Sequence, residues 1–133
     1  MDPAYRVSCL ARIEPAAVDL LVASLAGAGA TRPIVFDRIN VSELGTLAPG
    51  ILVLDIDGLE VDPIETLRML RFVLPGCILA VYTDVLEEQW ARACHLAGAN
   101  CLLAKTSDTA VVSRGLRHSL ASGCFTDPNF SAA

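Results

Sequence analysis

The sequence is nearly without lysine. Its ten basic residues are nine arginines and a single lysine, Lys105, set against 15 acidic residues for a net charge of −5. That balance offers no basic face to neutralise phosphates, so direct binding of nucleic acid by this chain is not expected. Long apolar runs are also missing. The uncharged stretch 72–83 is too short to cross a bilayer and contains Pro75. The first apolar stretch is interrupted by Arg6, Arg12, Glu14 and Asp19, with no small-residue cleavage site, so neither a signal peptide nor a membrane span is expected and the reading is cytoplasmic. No C-x-x-C occurs among the five cysteines, Cys9, Cys77, Cys94, Cys101 and Cys124. Their odd number and their apolar surroundings argue for small buried hydrophobes rather than a disulfide or zinc framework. Cys94 and His95 are adjacent, so on a helix their side chains diverge and make no metal site.

What is present is a full core. Apolar residues make up 53% and charged residues 19% of 133 positions, the size of one domain. Strand and helix signals alternate five times. Strands are expected at 5–10, 34–36, 51–56, 77–82 and 101–104. Pro15 opens the first helix, where its missing N–H is harmless, and Val18, Leu21, Val22 and Leu25 share one face. Asn40 with Glu43 marks a second helix start, and Pro63 a third. Asp84 with Glu87 reads as a capping box, followed by an inner face of Leu86, Trp90, Ala93 and Ala97. The last helix carries Val112, Leu116 and Leu120 and stops at Gly123. Several strands are apolar on both faces, as in a parallel sheet covered by helices on each side. Five such units predict an α/β, doubly wound, five-stranded parallel sheet in the order 2-1-3-4-5.

In such a sheet ligands bind beyond the carboxyl ends of the strands. The third strand, "ILVLDIDG", delivers Asp55 there, the fourth Thr83 and the fifth Lys105. A nucleophilic carboxylate, a hydroxyl and an ammonium suit phosphoryl transfer to Asp55, with the Lys105 ammonium pairing with one equatorial oxygen and the Thr83 hydroxyl donating a hydrogen bond to another. Where a merely solvated cation was needed this sequence has arginine, which sets Lys105 apart.

These stretches resemble a known family. "DIDGLEVDPIETLRML" is similar to the segment of two-component response-regulator receiver domains that follows the acceptor aspartate. "VYTD" resembles their strand-four hydroxyl motif, "AGANCLLAK" their A-G-A-x-x-[YF]-L-x-K ending, and "SLASGCFTDPNF" the receiver end of regulators with LuxR/NarL-type output domains. The resemblance covers nearly the whole chain. It implies a flavodoxin/CheY-like receiver domain over 1–122, with 123–133 a C-terminal tail or the start of a linker. It implies a non-enzymatic module of the two-component phosphorelay. A sensor kinase or an output domain, such as a DNA-binding one, would be its partner, and the last two helices with the fifth strand a face for homodimers.

The alternative is an Asp-nucleophile phosphatase of haloacid-dehalogenase type using Asp55 and Asp57. It explains D-x-D-G but places Leu59 where such enzymes have Thr or Val, lacks a downstream acidic strand end, and puts two β-α units ahead of the D-x-D strand.

The receiver pattern itself breaks at one place. Receivers hold Mg²⁺ with an acidic pair after the first strand, the acceptor aspartate, and a carbonyl two residues beyond it. Here the pair is replaced by Ala11 and Arg12, in a frame supported by Glu14-Pro15. Only Asp55, Asp57 and Glu14 remain as oxygen ligands for an octahedral ion. Arg12 at ~4 Å from Asp55 would interact by a few kcal/mol at an effective dielectric of about 20, in the place of the metal. Leu102 stands where receivers often have a switch aromatic. The expectation is therefore no cofactor, with Mg²⁺ only if Glu14 rescues the pocket. Phosphorylation of Asp55 is expected to be weak or absent, and signalling to run through protein contacts.

Overall fold

The computed structural model describes residues 7–131. Six parallel strands form one sheet in the order β2-β1-β3-β4-β5-β6. They are β1 Ser8–Ala11, β2 Ile34–Phe36, β3 Ile51–Leu54, β4 Ile78–Thr83, β5 Cys101–Ala104 and β6 Phe125–Thr126. Between them run α1 Pro15–Gly27, α2 Val41–Leu47, α3 Pro63–Val73, α4 Glu88–Leu96 and α5 Thr109–Ser122. The order 2-1-3-4-5 is as the alternation of elements predicts, with one strand more. Tyr5 and Arg6, expected in the first strand, lie outside the described residues.

Alternation along the strands divides the core in two. Cys9, Ala11, Leu52, Leu54, Leu79, Val81 and Leu102 point to one face and pack with Leu44 of α2, Leu67 and Leu70 of α3, and Ala91 and Cys94 of α4. Leu10, Val53, Ala80, Tyr82 and Leu103 point to the other, against Leu21 and Leu25 of α1 and Val112 and Leu116 of α5. Each fully buried aliphatic side chain contributes about 2 kcal/mol, so the two-sided apolar strands are what fix the layers.

The helix starts follow the capping residues. Asn40 accepts from Glu43 N–H at 3.0 Å, Asp62 from Ile64 N–H at 3.0 Å, and Asp108 from Val111 N–H at 3.0 Å. The fourth helix departs from the expected capping box. Asp84 caps nothing, and α4 begins only at Glu88 after an extended segment. The reason lies in the backbone of Ser131. Ser131 N–H donates to Leu86 O at 3.0 Å and Glu88 N–H to Ser131 O at 2.9 Å, which holds 85–87 extended.

The five-stranded sheet is thus corrected to six, and the stretch expected as a tail or linker is docked as far as 131. β6 pairs with β5, Cys101 opposite Phe125 and Leu102 opposite Thr126. A side chain at Gly115 would meet the Phe125 ring at 2.6 Å, so glycine in α5 makes room for it. Asp127, 1% exposed, accepts from Ala104 N–H at 3.0 Å, Ser107 hydroxyl at 2.5 Å and Asn129 N–H at 2.9 Å. A buried carboxylate with three donors pins the segment across the edge of β5.

Candidate functional site

Strand register brings the site together. Ala11 lies opposite Leu54 and Thr83 opposite Ala104, so Arg12, Asp55, Asp84 and Lys105 leave the same end of the sheet. Arg12 turns the chain in the left-handed region, φ 61°, with its N–H on Phe36 O at 2.9 Å. A non-glycine residue there costs about 1 kcal/mol. The turn sends its guanidinium to the end of β3. Nη1 donates to Asp57 O at 2.5 Å and to Asp55 O at 3.3 Å, and stands 3.6 Å from Asp55 Oδ1.

Asp55 is 5% exposed. Its Oδ2 pairs with Lys105 Nζ at 2.7 Å, and its Oδ1 accepts from Asp57 N–H at 2.8 Å. The side chain of Asp57 folds inward beside it. Its Oδ1 accepts from the Thr83 hydroxyl at 2.6 Å. Its Oδ2 accepts from Asp84 N–H at 2.8 Å and pairs with Lys105 Nζ at 3.2 Å. Burial alone would raise the pKa of Asp57, but Thr83, Asp84 N–H and Lys105 together hold the carboxyl below the usual range. For Lys105 burial opposes the charge, and the hydrogen bonds and fields of Asp55 and Asp57 outweigh it, so its pKa is raised.

Asp55, Thr83 and Lys105 therefore converge as their strand ends predict, but Thr83 reaches Asp57 rather than Asp55. Glu14 sits exposed at the start of α1. It lines a cavity of about 300 Å³ with Leu20, Tyr82, Asp84, Asp55 and Lys105. Ala11 is buried in β1 and offers no ligand. The carbonyl of Asp57 accepts from Arg12, and that guanidinium stands beside the Asp55 carboxylate. Among the described residues no cluster of three or more His, Cys, Asp or Glu is arranged to hold a metal ion.

Leu102 is fully buried in β5, within the core shared with α3 and α4. His95 bridges Ala99 O at 2.9 Å and the Thr126 hydroxyl at 2.9 Å, tying α4 to β6. Burial pushes the thiol of Cys9 up to about 11, and those of Cys94 and Cys101 up to about 12, which keeps them protonated. No helix among the described residues is long and apolar enough to cross a membrane. The inward carboxylate of Asp57 is what sequence reasoning missed. The D-x-D spacing places it at the strand end but does not say which way it turns. Three donors within reach decide that.

No family model matches the sequence, and no curated protein does. Solved structures share the fold. A two-component response regulator of the LuxR family from Aurantimonas sp. superposes with a TM-score of 0.73 at 20% identity, over 94% of this chain and 91% of that one. The fold is that of a receiver domain. The isolated REC domain of RcsB from Salmonella enterica serovar Typhimurium, in the presence of phosphomimetic BeF3−, gives 0.72 at 16% identity over 93% and 94% of the two chains. A CheY-like response regulator receiver domain protein from Methanospirillum hungatei gives 0.67 at 16%, over 87% and 93%. At these identities it is the receiver fold that is shared. The sixth strand, Arg12 and the inward Asp57 are described from this chain alone.

Proposed function

We propose that this chain is a receiver-type module of two-component signalling whose acceptor position, Asp55, is not phosphorylated through Mg²⁺. It works in the cytoplasm by protein–protein contact, with a sensor kinase or an output domain as partner. The observation that carries this reading is the Arg12 guanidinium, 2.5 Å from Asp57 O and 3.6 Å from Asp55 Oδ1. A fixed monovalent cation stands where receivers take a divalent ion, so charge on an incoming phosphoryl group would go unneutralised. The non-enzymatic reading is favoured over a phosphatase because Asp57 is tied by three donors and its pKa is lowered. A carboxylate so held is a poor proton donor to a leaving group. A homodimer through α4, β5 and α5 would have to engage β6 and the segment after it, since β6 already takes the edge of β5.

Intact mass after incubation with acetyl phosphate and Mg²⁺ tests the proposal. Wild type is expected to stay unmodified, and Arg12→Asp to gain Mg²⁺ affinity by titration calorimetry. A single added phosphoryl group on wild type, absent from Asp55→Asn, would overturn it.

A further inference from the structure

The donors at the site form a set. A hydroxyl (Thr83), an ammonium (Lys105) and a backbone N–H (Asp84) converge on one place beside the Asp55 carboxylate. Such a set serves the oxygens of an anionic group next to Asp55, where charge-assisted hydrogen bonds are strongest. The group occupying it is the chain's own carboxylate, that of Asp57. Charge closes as well. Asp55 and Asp57 face Arg12 and Lys105, two negative charges against two positive, while Asp84 is an exposed fifth member 4.0 Å from Lys105.

We propose that Asp57 is a built-in substitute for a phosphoryl group at Asp55, and that through Thr83 it keeps the C-terminal segment 125–131 docked. The proposal rests on the reading above and deepens it, since the module would then be held permanently in a liganded state. The contacts run without a break. The Thr83 hydroxyl that donates to Asp57 also accepts from Val85 N–H at 3.0 Å. Val85 leads into Leu86, whose carbonyl accepts from Ser131 N–H, and Glu88 N–H returns to Ser131 O. Four successive links connect the carboxylate of Asp57 to the backbone of Ser131. With the carboxylate absent, the Thr83 hydroxyl loses its acceptor, and the segment 85–87, anchored to that hydroxyl through Val85 N–H, is held less firmly. Adjacency alone does not establish coupling, so the test must read the far end while changing the near one.

The experiment uses the whole chain and its Asp57→Ala variant, with Asp57→Asn as a same-size control and circular dichroism to confirm folding. Amide hydrogen exchange is followed at Glu88 and Ser131, with Val53 in the central strand as reference. Asp57→Ala is expected to speed exchange at Glu88 and Ser131 by about tenfold, the order expected when a hydrogen bond to a charged group is lost, and to leave Val53 protected. Formate, which restores a carboxylate to the space, is expected to reverse this in Asp57→Ala and to have no effect on wild type. Unchanged exchange at Ser131, or a change that formate does not reverse, overturns the proposal.

Phosphorylation separates the two readings. Arg12→Asp alone is expected to remain unlabelled by acetyl phosphate and Mg²⁺, and the double variant Arg12→Asp, Asp57→Ala to accept one group at Asp55. Labelling of Arg12→Asp alone would sink the substitute role of Asp57 while leaving that of Arg12 intact. Labelling of wild type would sink the reading beneath both.

Discussion

Lys105→Met is expected to lower the free energy of unfolding by about 3–5 kcal/mol at neutral pH, the usual consequence of removing one partner from a buried ion pair. The ammonium sits 2.7 Å from Asp55 Oδ2 and 3.2 Å from Asp57 Oδ2, both in side chains that are mostly buried. Without it two carboxylates face each other with only Arg12 to offset them. Urea unfolding as a function of pH measures this and gives the sign.

In wild type the pKa of Asp57 is lowered, so its contribution is complete above the unfolded value of ~3.9 and is lost as pH falls through the lower folded value. That of Lys105 is raised. Its contribution is complete below ~10.4 and is lost as pH rises through the higher folded value. The deficit of Lys105→Met should therefore be widest across the neutral plateau and narrow in acid, where a proton relieves the repulsion. A variant within ~1 kcal/mol of wild type at pH 7 would mean that water screens the cluster.

Arg71→Ala is expected to cost about 3 kcal/mol, a fall in Tm of about 10 °C. The side chain leaves α3 and spends its donors on backbone oxygens at the opposite end of the sheet. Nε and Nη2 reach Gly98 O at 3.0 and 2.7 Å. Nη1 reaches Leu74 O and Cys77 O, each at 2.9 Å, and Nη2 also reaches Asn100 Oδ1 at 2.6 Å. One guanidinium thus ties the end of α3 to the turns before β4 and β5. Gly98, at φ +118°, has its backbone against the stem of Arg71, and a side chain there would lie 2.7 Å from Arg71 Cβ. Arg71→Lys should recover little, because a point ammonium cannot serve oxygens spread around a planar fork. Thermal unfolding of the two variants checks this. Full recovery with lysine would show that charge at the end of α3 matters and the fork does not.

Arg71 also shows where sequence reading stops. It is one of nine arginines, and nothing in its neighbourhood announces a partner 27 residues away. The layers were legible because Leu52, Val53, Leu79 and Ala80 belong to short strands apolar on both faces that alternate with helices, the pattern of a parallel sheet covered on each side. Asp55, Thr83, Lys105 and Arg12 were legible because each follows an apolar run that fixes where it emerges. β6 was not. Phe125–Thr126 is too short for alternation to register, and its place is set by Asp127 and by the space over Gly115. The start of α4 was misplaced for a related reason. Asp84 and Glu87 have the local chemistry of a cap, but Ser131 claims the backbone around them from far along the chain. Long-range contacts override local propensity where the local preference is worth ~1 kcal/mol.

The scarcity of lysine has a practical side. Apart from the α-amino group, the chain's supply of primary amines is Lys105, and that nitrogen is held between carboxylates with its pKa raised. An amine attacks an acylating reagent only through the free lone pair of its neutral form, so Lys105 must first leave the cluster and lose a proton. The pace at which an amine-selective reagent marks it, read by peptide mapping, becomes a clock for how often this end of the sheet comes apart. No introduced probe is needed.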